Sequence, residues 1–239
     1  MIQTGSENFC ATQRRNPVTV VSALACVRCS GQNADWPYGH EVQSTYNEKT
    51  MKNFLFCLLG SIAIALPAIA ALEAGDTAPT FEAKASLAGK SFDYSLHEAL
   101  EEGPVVVYFY PSAYTQGCNI QAHEFAVNMD KFTAAGASVI GVSLDSIERL
   151  NDFSADPEYC ADKLAVASDT SGEIARSYNL DVREGREGAM DTRGVEIGHG
   201  FAERVTFIVT PDRKIAETIG GVSPMENVQK SLEAVQSRQ

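Results

Sequence analysis

The sequence predicts an α/β fold in which a mixed β-sheet is flanked by helices. Predicted strands and helices alternate from residue 95 to residue 210, and a hairpin and one last helix complete the pattern. Alternation of this kind argues for a sheet covered by helices. Residues 105–110 form an almost continuous apolar run, VVVYFY, as the buried central strands of α/β sheets do.

The first predicted elements are marked by their turn and cap residues. Residues 72–80 have the pattern of an extended arm, and residues 81–94 that of a hairpin with Ala88-Gly89-Lys90 as its turn. Ser95 is the expected N-cap of a short helix over residues 95–102, which ends at Gly103-Pro104.

Later elements follow from apolar periodicity. The apolar spacing of Ile120, Phe125, Met129 and Phe132 predicts a helix that ends near Gly136. The remaining segment, residues 182–201, is rich in Gly, Arg and Glu and is interpreted as a mobile loop. Helices are predicted over residues 120–134, 146–156, 171–178 and 224–236, and further strands over residues 138–144, 164–168, 204–210 and 214–219.

The composition is that of an acidic globular protein. The chain has 239 residues, a formal net charge of -12 and a hydrophobic content of 44%. This charge argues against nucleic acid or an anionic membrane surface as a partner. The sequence has neither a G-x-x-x-x-G-K-[ST] nor a G-x-G-x-x-G motif, so no nucleotide cofactor is expected. His97, His123 and His199 are too dispersed for a metal site, and we interpret them as structural or surface residues.

Residues 51–70 have the parts of a secretory signal peptide. A short basic start at Lys52 precedes an apolar run over residues 54–66, and a small-residue exit predicts cleavage after Ala70. Cleavage would leave residues 71–239 in an exported protein, in a bacterial periplasm, without stable membrane association. Because residues 54–72 are nearly long enough to span a bilayer, an uncleaved anchor is the alternative.

Residues 1–50 differ from the rest of the chain because they have no sustained hydrophobic periodicity. A signal peptide should begin a protein, so we interpret Met51 as the true start and residues 1–50 as a non-native or disordered extension. Four of the six cysteines precede the predicted cleavage site, which leaves Cys118 and Cys160 in residues 71–239. Two thiols in an exported protein suggest one disulfide, either structural or redox-active.

Cys118 is predicted to lie where a buried strand is followed by a helix. Pro111 ends the apolar strand, Thr115 follows four residues later, and Cys118 comes three residues after that. Unpaired backbone N–H groups and the positive end of the helix dipole stabilise a thiolate at such a place. The neighbours Gly117 and Asn119 argue against burial. The sequence therefore predicts one ionised and accessible sulfur.

The spacing Pro111-x-x-x-Thr115-x-x-Cys118 resembles the active-site signature of the peroxiredoxins, which are thiol peroxidases with a thioredoxin-like fold. The resemblance extends from about residue 75 to about residue 236. It implies that residues 71–239 form a thioredoxin-like domain that reduces hydrogen peroxide and organic hydroperoxides through a cysteine sulfenic acid.

The resemblance also implies roles for individual residues. Cys118 would be the nucleophile, Thr115 would hydrogen-bond the thiolate and the peroxide, and Pro111 would shape the pocket and limit water. Arg204, at the start of a predicted strand, would stabilise the thiolate and the departing oxygen, and Gln121 would orient it. Each residue also has a plainer interpretation. Cys118 could be a buried structural cysteine, Thr115 a helix cap and Pro111 a strand end. Arg204 could form a surface ion pair, and Gln121 could face solvent.

Cys160 is the candidate that resolves the sulfenic acid. Its position after the predicted 146–156 helix resembles the peroxiredoxin Q class (bacterioferritin-comigratory proteins), in the subset with a resolving cysteine on the next helix. Many members place that cysteine five residues after the nucleophile, where this chain has His123. An intramolecular disulfide needs Cα atoms within about 7 Å, hence local unwinding. A one-cysteine enzyme and a bond between subunits remain open, as do a monomer and a homodimer.

Two other functions compete with a peroxidase. A thioredoxin-like thiol-disulfide oxidoreductase of the cell envelope would use Cys-x-x-Cys, but Thr115 takes the first position and a hydroxyl cannot form a mixed disulfide. A catalytically silent exported binding domain would have no need of Cys118 together with Thr115, Pro111 and Arg204. The expected partners are a peroxide substrate and a thioredoxin-like protein or small thiol as reductant.

Overall fold

The computed structural model describes residues 70–238. Residues 1–69, which hold the predicted extension and nearly all of the predicted signal peptide, lie outside the described part. Among the described residues, no helix combines the length and apolar character needed to cross a membrane.

Nine strands and five helices make up the described part of the chain. The strands are β1 (Glu82–Leu87), β2 (Lys90–Ser95), β3 (Val105–Phe109), β4 (Ser138–Ser143), β5 (Ala165–Ser168), β6 (Val182–Arg183), β7 (Phe201–Ala202), β8 (Val205–Val209) and β9 (Ile215–Gly220). The helices are α1 (Leu96–Glu102), α2 (Gln116–Ala134), α3 (Ile147–Ala155), α4 (Glu173–Ser177) and α5 (Pro224–Gln236).

The main sheet is mixed and has β3 at its centre. Its strand order is β2-β1-β5-β4-β3-β8-β9. β3 pairs in parallel with β4 and antiparallel with β8, and all five of its residues are buried. This confirms the predicted central strand and the mixed α/β sheet.

Helices cover both faces of the sheet. Alternate residues of β3 point to opposite faces, so each set packs against a different group of helices. Val106 and Tyr108 belong to a buried cluster that includes apolar residues of α2, α3 and α5. Val105, Val107 and Phe109 belong to a second cluster with residues of α1 and α4. The chain therefore has the thioredoxin-like layering that the sequence predicted.

The local turn and cap signals behave as the sequence indicates. Ala88 and Gly89 both have positive φ, 51° and 75°, as a two-residue hairpin turn between β1 and β2 requires. The hydroxyls of Ser95, Ser146 and Ser223 each accept a backbone N–H in the first turn of the helix that follows.

Two expectations about local structure need correction. Helix α2 begins at Gln116 and not near residue 120, because the polar residues 116–119 already form its first turn. The segment over residues 182–201 is also more structured than expected. It starts and ends in the small ribbon β6–β7 and is hydrogen-bonded to the loop that precedes α2 and to the first turn of α2.

Tyr108 has a buried hydroxyl with no hydrogen-bond partner within residues 70–238. Its ring stacks on Phe125, with centroids 4.5 Å apart, and covers Gly141, where a methyl group would lie 2.5 Å from the phenol oxygen. Burial of an unpaired hydroxyl costs free energy. We expect Tyr108→Phe to raise the free energy of unfolding by about 1 kcal/mol, measured by urea denaturation.

Tyr178 supplies the matched control for this prediction. It is equally buried, but its hydroxyl donates to Pro79 O at 2.8 Å. Tyr178→Phe should therefore lower the free energy of unfolding by about 1 kcal/mol. A similar loss for Tyr108→Phe would mean that the Tyr108 hydroxyl is satisfied in solution.

Candidate active site

Cys118 is the third residue of α2, in the turn where backbone N–H groups are not yet paired within the helix. Thr115 is the N-cap, and its carbonyl accepts the Asn119 N–H at 2.8 Å. The sequence predicted an accessible sulfur, but Cys118 is only 2% exposed. The reason is the position of Cys118 on the inward face of α2, where it belongs to the core cluster on the β3 face.

The guanidinium of Arg204 reaches the sulfur of Cys118. Arg204 lies one residue before β8, and its Nη2 donates to Cys118 Sγ at 3.2 Å. Its Nη1 donates to Oε1 of the fully buried Gln121. A methyl group at Gly117 would lie 3.2 Å from Arg204 Nη2, so a side chain there would crowd this approach. A permanent cation is thus held against the sulfur.

Thr115 and Pro111 lie on either side of the loop that leads into α2. The Thr115 hydroxyl donates to Ser112 O at 2.9 Å and makes no cap bond, and within the described residues it has no bond to Cys118. Pro111 and Arg204 line a cavity of about 300 Å³ together with β7 residues. Cys118 does not line this cavity, whereas the arginine that contacts its sulfur does.

Asp145 holds the loop before α2 through hydrogen bonds. It was not predicted from the sequence as a residue of the site. Its carboxylate is fully buried and accepts the Ala113 N–H at 2.8 Å and the Ser112 hydroxyl at 3.0 Å. Arg149 and His199 each donate to it at 2.8 Å. Burial alone would raise the pKa of Asp145. The hydrogen bond and charge of His199 and the hydrogen bonds from the Ala113 N–H and the Ser143 hydroxyl instead hold that pKa below its usual value.

The segment between β6 and β7 closes over the same loop. Thr192 contacts it twice, since its backbone N–H and its hydroxyl donate to Tyr114 O at 2.9 Å and 2.8 Å. Asn119 donates to the Thr192 hydroxyl at 3.3 Å. Asp191 accepts from Arg149 at 2.8 Å, and the Arg193 guanidinium lies over the Tyr114 ring. These contacts tie residues 191–193 to the approach to Cys118.

His199 is held as a cation between two acceptors. One ring nitrogen faces Asp145 Oδ1 at 2.8 Å and the other faces Gly200 O at 2.7 Å. Burial would lower the pKa of His199, but the hydrogen bond and charge of Asp145 outweigh it and raise that pKa above its usual value. The protonated form therefore stabilises the fold and anchors the 182–201 segment.

A pH dependence of stability follows from this pair. Because the pKa of His199 is higher in the folded state, its contribution is complete below about pH 6.5 and is lost as pH rises through the folded value. We expect His199→Gln to lower the free energy of unfolding by about 2 kcal/mol below that pH, with a smaller loss above it. Urea denaturation across the pH range, with the exposed His97→Gln as control, measures this; an equal loss at every pH would contradict it.

Cys160 lies in the turn after α3, rather than on a helix as the resemblance implied. It is fully buried, and both it and Cys118 are free thiols. Burial raises the pKa of the Cys160 thiol above its usual range, and the charge of Asp156 adds to this. Tyr159 contacts Tyr114 edge-on at 5.7 Å, which links the turn to the loop before Cys118.

Several residues of this site carried a weak sequence signal. Asp145 follows a predicted strand directly, which is a common place for functional side chains, yet its partners are far away in the chain. Asn227 on α5 is buried and hydrogen-bonded to Gln121, but its position in an ordinary amphipathic helix gave no indication of this.

Comparisons with known proteins agree with this architecture. The sequence profile of the AhpC/TSA family matches residues 74–218. Peroxiredoxin Bcp of Escherichia coli K12 is 40% identical over 144 residues, which cover 60% of this chain and 83% of the relative. The crystal structure of peroxidoxin BcpB from Mycobacterium tuberculosis has a TM-score of 0.58 at 26% identity, over 70% of this chain and 99% of that one. A mutant of the Xylella fastidiosa peroxiredoxin PrxQ has a TM-score of 0.57 at 22% identity, over 71% and 98%, and supports the fold alone.

A thiol in the first turn of a helix, beside an arginine on a thioredoxin-like fold, defines the class of thiol-dependent peroxidases. The family profile covers more than half of the chain. The chain therefore belongs to the AhpC/TSA family, the peroxiredoxins, and within that family it is similar to peroxiredoxin Bcp. The predicted family and class of enzyme are confirmed.

Proposed function

We propose that this protein reduces hydrogen peroxide and organic hydroperoxides with Cys118 as the nucleophile and Cys160 as the resolving thiol. One observation carries the proposal: Arg204 Nη2 donates to Cys118 Sγ at 3.2 Å in the first turn of α2. A fixed cation and unpaired N–H groups favour a thiolate there, and the same cation can stabilise negative charge on a departing oxygen.

In the first step, the Cys118 thiolate attacks one oxygen of the peroxide and the O–O bond breaks. The sulfur is oxidised to sulfenic acid, and the peroxide is reduced to water or an alcohol after its departing oxygen takes up a proton. Arg204 lies where it can stabilise that oxygen. Thr115 needs only to turn its hydroxyl away from Ser112 O to bond the peroxide, and Pro111 adds no N–H donor to the adjoining cavity.

In the second step, Cys160 attacks the sulfenic acid, a disulfide forms and water leaves. Cys160 must first leave the core, since its sulfur is fully buried and its raised pKa keeps it an inert thiol. The turn favours release, because Ala161 and Asp162 both have left-handed backbone angles, with φ of 51° and 59°. Each costs a non-glycine residue on the order of 1 kcal/mol, which unfolding of the turn recovers.

In the last step, two external thiols reduce the disulfide and restore both cysteines. We propose a thioredoxin-like protein or a small thiol as that reductant. Cys118 and Cys160 are buried in the reduced fold, so a protein reductant would need the locally opened form that holds the disulfide.

Peptide mapping of the full chain tests both cysteine roles together. After one equivalent of hydrogen peroxide and thiol alkylation, trypsin should release a disulfide-linked pair made of residues 91–131 and residues 150–163. The map separates this bond from any that involves the four cysteines before residue 71. Absence of the linked pair, with Cys118 still oxidised, would contradict the resolving role of Cys160.

Cys160→Ser provides the control, since its first turnover should proceed while its recycling slows. In that variant, peroxide should leave a trappable sulfenic acid on Cys118. Insulin reduction without peroxide turnover would instead favour a thiol-disulfide oxidoreductase of the cell envelope.

We also propose that the protein is exported, with residues 51–70 as a signal peptide. The support is the pattern of a basic start, an apolar run and a small-residue exit. Mass spectrometry of the native protein should find Ala71 as the N-terminal residue. Peptides from residues 4–14 would contradict the interpretation of Met51 as the start, and an intact 54–72 segment would favour the membrane anchor.

A further inference from the structure

A buried polar side chain on α5 is connected to the arginine of the active site. Asn227 is 1% exposed, and its Nδ2 donates to Ile219 O at 3.1 Å. Its Oδ1 accepts from Gln121 Nε2 at 2.9 Å and from the Thr206 hydroxyl at 2.7 Å. A buried amide is costly unless it is paired in this way, so each of its bonds is constrained.

The bonds of Asn227 fix which way the Gln121 amide points. A backbone carbonyl can only accept, so the Asn227 amino group must face Ile219 O and its oxygen must face Gln121. Gln121 therefore presents its amino group to Asn227 and its oxygen to Arg204. In the flipped orientation, the amino group of Gln121 would face the guanidinium, two donors in contact without an acceptor.

We propose that Asn227, supported by Thr206, is a positioning residue that acts through Gln121 to hold the Arg204 guanidinium on the sulfur of Cys118. This inference rests on the proposed function, because Arg204 matters for turnover only if Cys118 is the nucleophile. Asn227 itself touches neither Cys118 nor Arg204 through any contact found among residues 70–238.

The chemistry of the chain explains why amides serve here. A carboxylate next to Arg204 would hold the guanidinium but would also cancel much of its charge at the sulfur. The Gln121 amide accepts a hydrogen bond and carries no charge, so Arg204 is oriented while its positive charge remains available. The Thr206 hydroxyl has the same property, and it is fully buried on β8 two residues after Arg204.

Asn227→Leu in the full chain tests the proposal, because leucine has a similar size and no hydrogen-bonding group. We expect the second-order rate constant for Cys118 oxidation by hydrogen peroxide, measured in a single turnover, to fall about tenfold. The pH midpoint of thiolate formation, followed by ultraviolet absorbance, should rise. Thr206→Val, which removes one of two donors to Asn227 Oδ1, should give a smaller loss in the same direction.

Ser231→Ala is the matched control for loss of a buried polar contact on α5. Its hydroxyl is fully buried and donates to the backbone oxygen of Asn227 at 2.7 Å, outside the chain that leads to Arg204. It should lower stability without changing the rate constant or the thiolate midpoint. Equal rate losses in Ser231→Ala and Asn227→Leu would overturn the proposal.

A double-mutant cycle distinguishes a positioning role of Asn227 from a purely structural one. If Asn227 acts through Gln121, then Asn227→Leu should have little further effect on the rate in a Gln121→Leu background. Additive losses would overturn the inference. If Cys118 is not oxidised by peroxide even in the unaltered protein, the proposed function fails instead, so the two failures are distinguishable.

Discussion

Cys118→Ser is expected to reduce peroxide consumption to the rate measured without protein. The hydroxyl oxygen of serine can replace the sulfur as an acceptor for Arg204 Nη2, but it cannot be oxidised to the equivalent of a sulfenic acid. The loss of activity is therefore complete, whereas a merely weaker nucleophile would leave a slow reaction. A peroxide-consumption assay with dithiothreitol as reductant measures it directly.

The substitution is conservative in size, so folding serves as an internal check. Cys118 is buried, and serine fills nearly the same volume, so urea denaturation should show a cooperative transition close to that of the unaltered protein. Cys160→Ser is the companion variant, because it should retain one full turnover per chain. Residual multiple turnover in Cys118→Ser would move the nucleophile to another cysteine.

The central part of the fold could be predicted from the sequence because its signals are local. The apolar run of β3, the hairpin turn at Ala88-Gly89 and the serine caps each depend on a few neighbouring residues. The start of α2 was placed too late for the same reason. Its first turn is polar, and what makes it helical is packing against β3, which no local pattern records.

The active-site motif could be found in the sequence, and the family resemblance added Arg204 and Gln121, but the other residues that support the site could not be found. Pro111, Thr115 and Cys118 lie within eight positions of one another, so their spacing is visible. Asp145 and His199 meet across 54 positions, and Gln121 and Asn227 across 106. Nothing in a single sequence distinguishes Asp145, His199 and Asn227 from other polar residues until the fold brings them to the site.

The prediction that the sulfur of Cys118 is accessible was wrong for a related reason. Polar neighbours suggested an open position for Cys118, yet it is buried. In an α-helix, adjacent residues point to different sides. The identities of Gly117 and Asn119 therefore say little about the direction in which Cys118 points. The surroundings of the sulfur include Arg204, which contacts it, and Thr192, which contacts Asn119 beside it; both come from distant parts of the chain.

Arg204→Leu is expected to lower the rate constant for Cys118 oxidation by about 10²- to 10³-fold, as removal of one fixed donor to a developing oxyanion does in other enzymes. Leucine keeps apolar bulk near Pro111 but removes the donor to Cys118 Sγ and leaves Gln121 Oε1 unpaired. Stopped-flow measurement of a single turnover gives the rate constant. Arg204→Lys should give an intermediate loss, since one ammonium group keeps the charge but cannot occupy both of the guanidinium's positions at once.

The pH dependence of this loss separates two roles of Arg204. If Arg204 only helps the thiolate to form, the loss in Arg204→Leu should vanish at a pH high enough to ionise Cys118 fully. A thiolate stabilised in the ground state gains no reactivity from that stabilisation, so faster chemistry requires an interaction that strengthens as the O–O bond breaks. Because the guanidinium borders the cavity beside Pro111 as well as the sulfur, we expect most of the loss to persist at high pH. Full recovery there would confine Arg204 to thiolate formation and would assign stabilisation of the departing oxygen to Thr115 and backbone N–H groups.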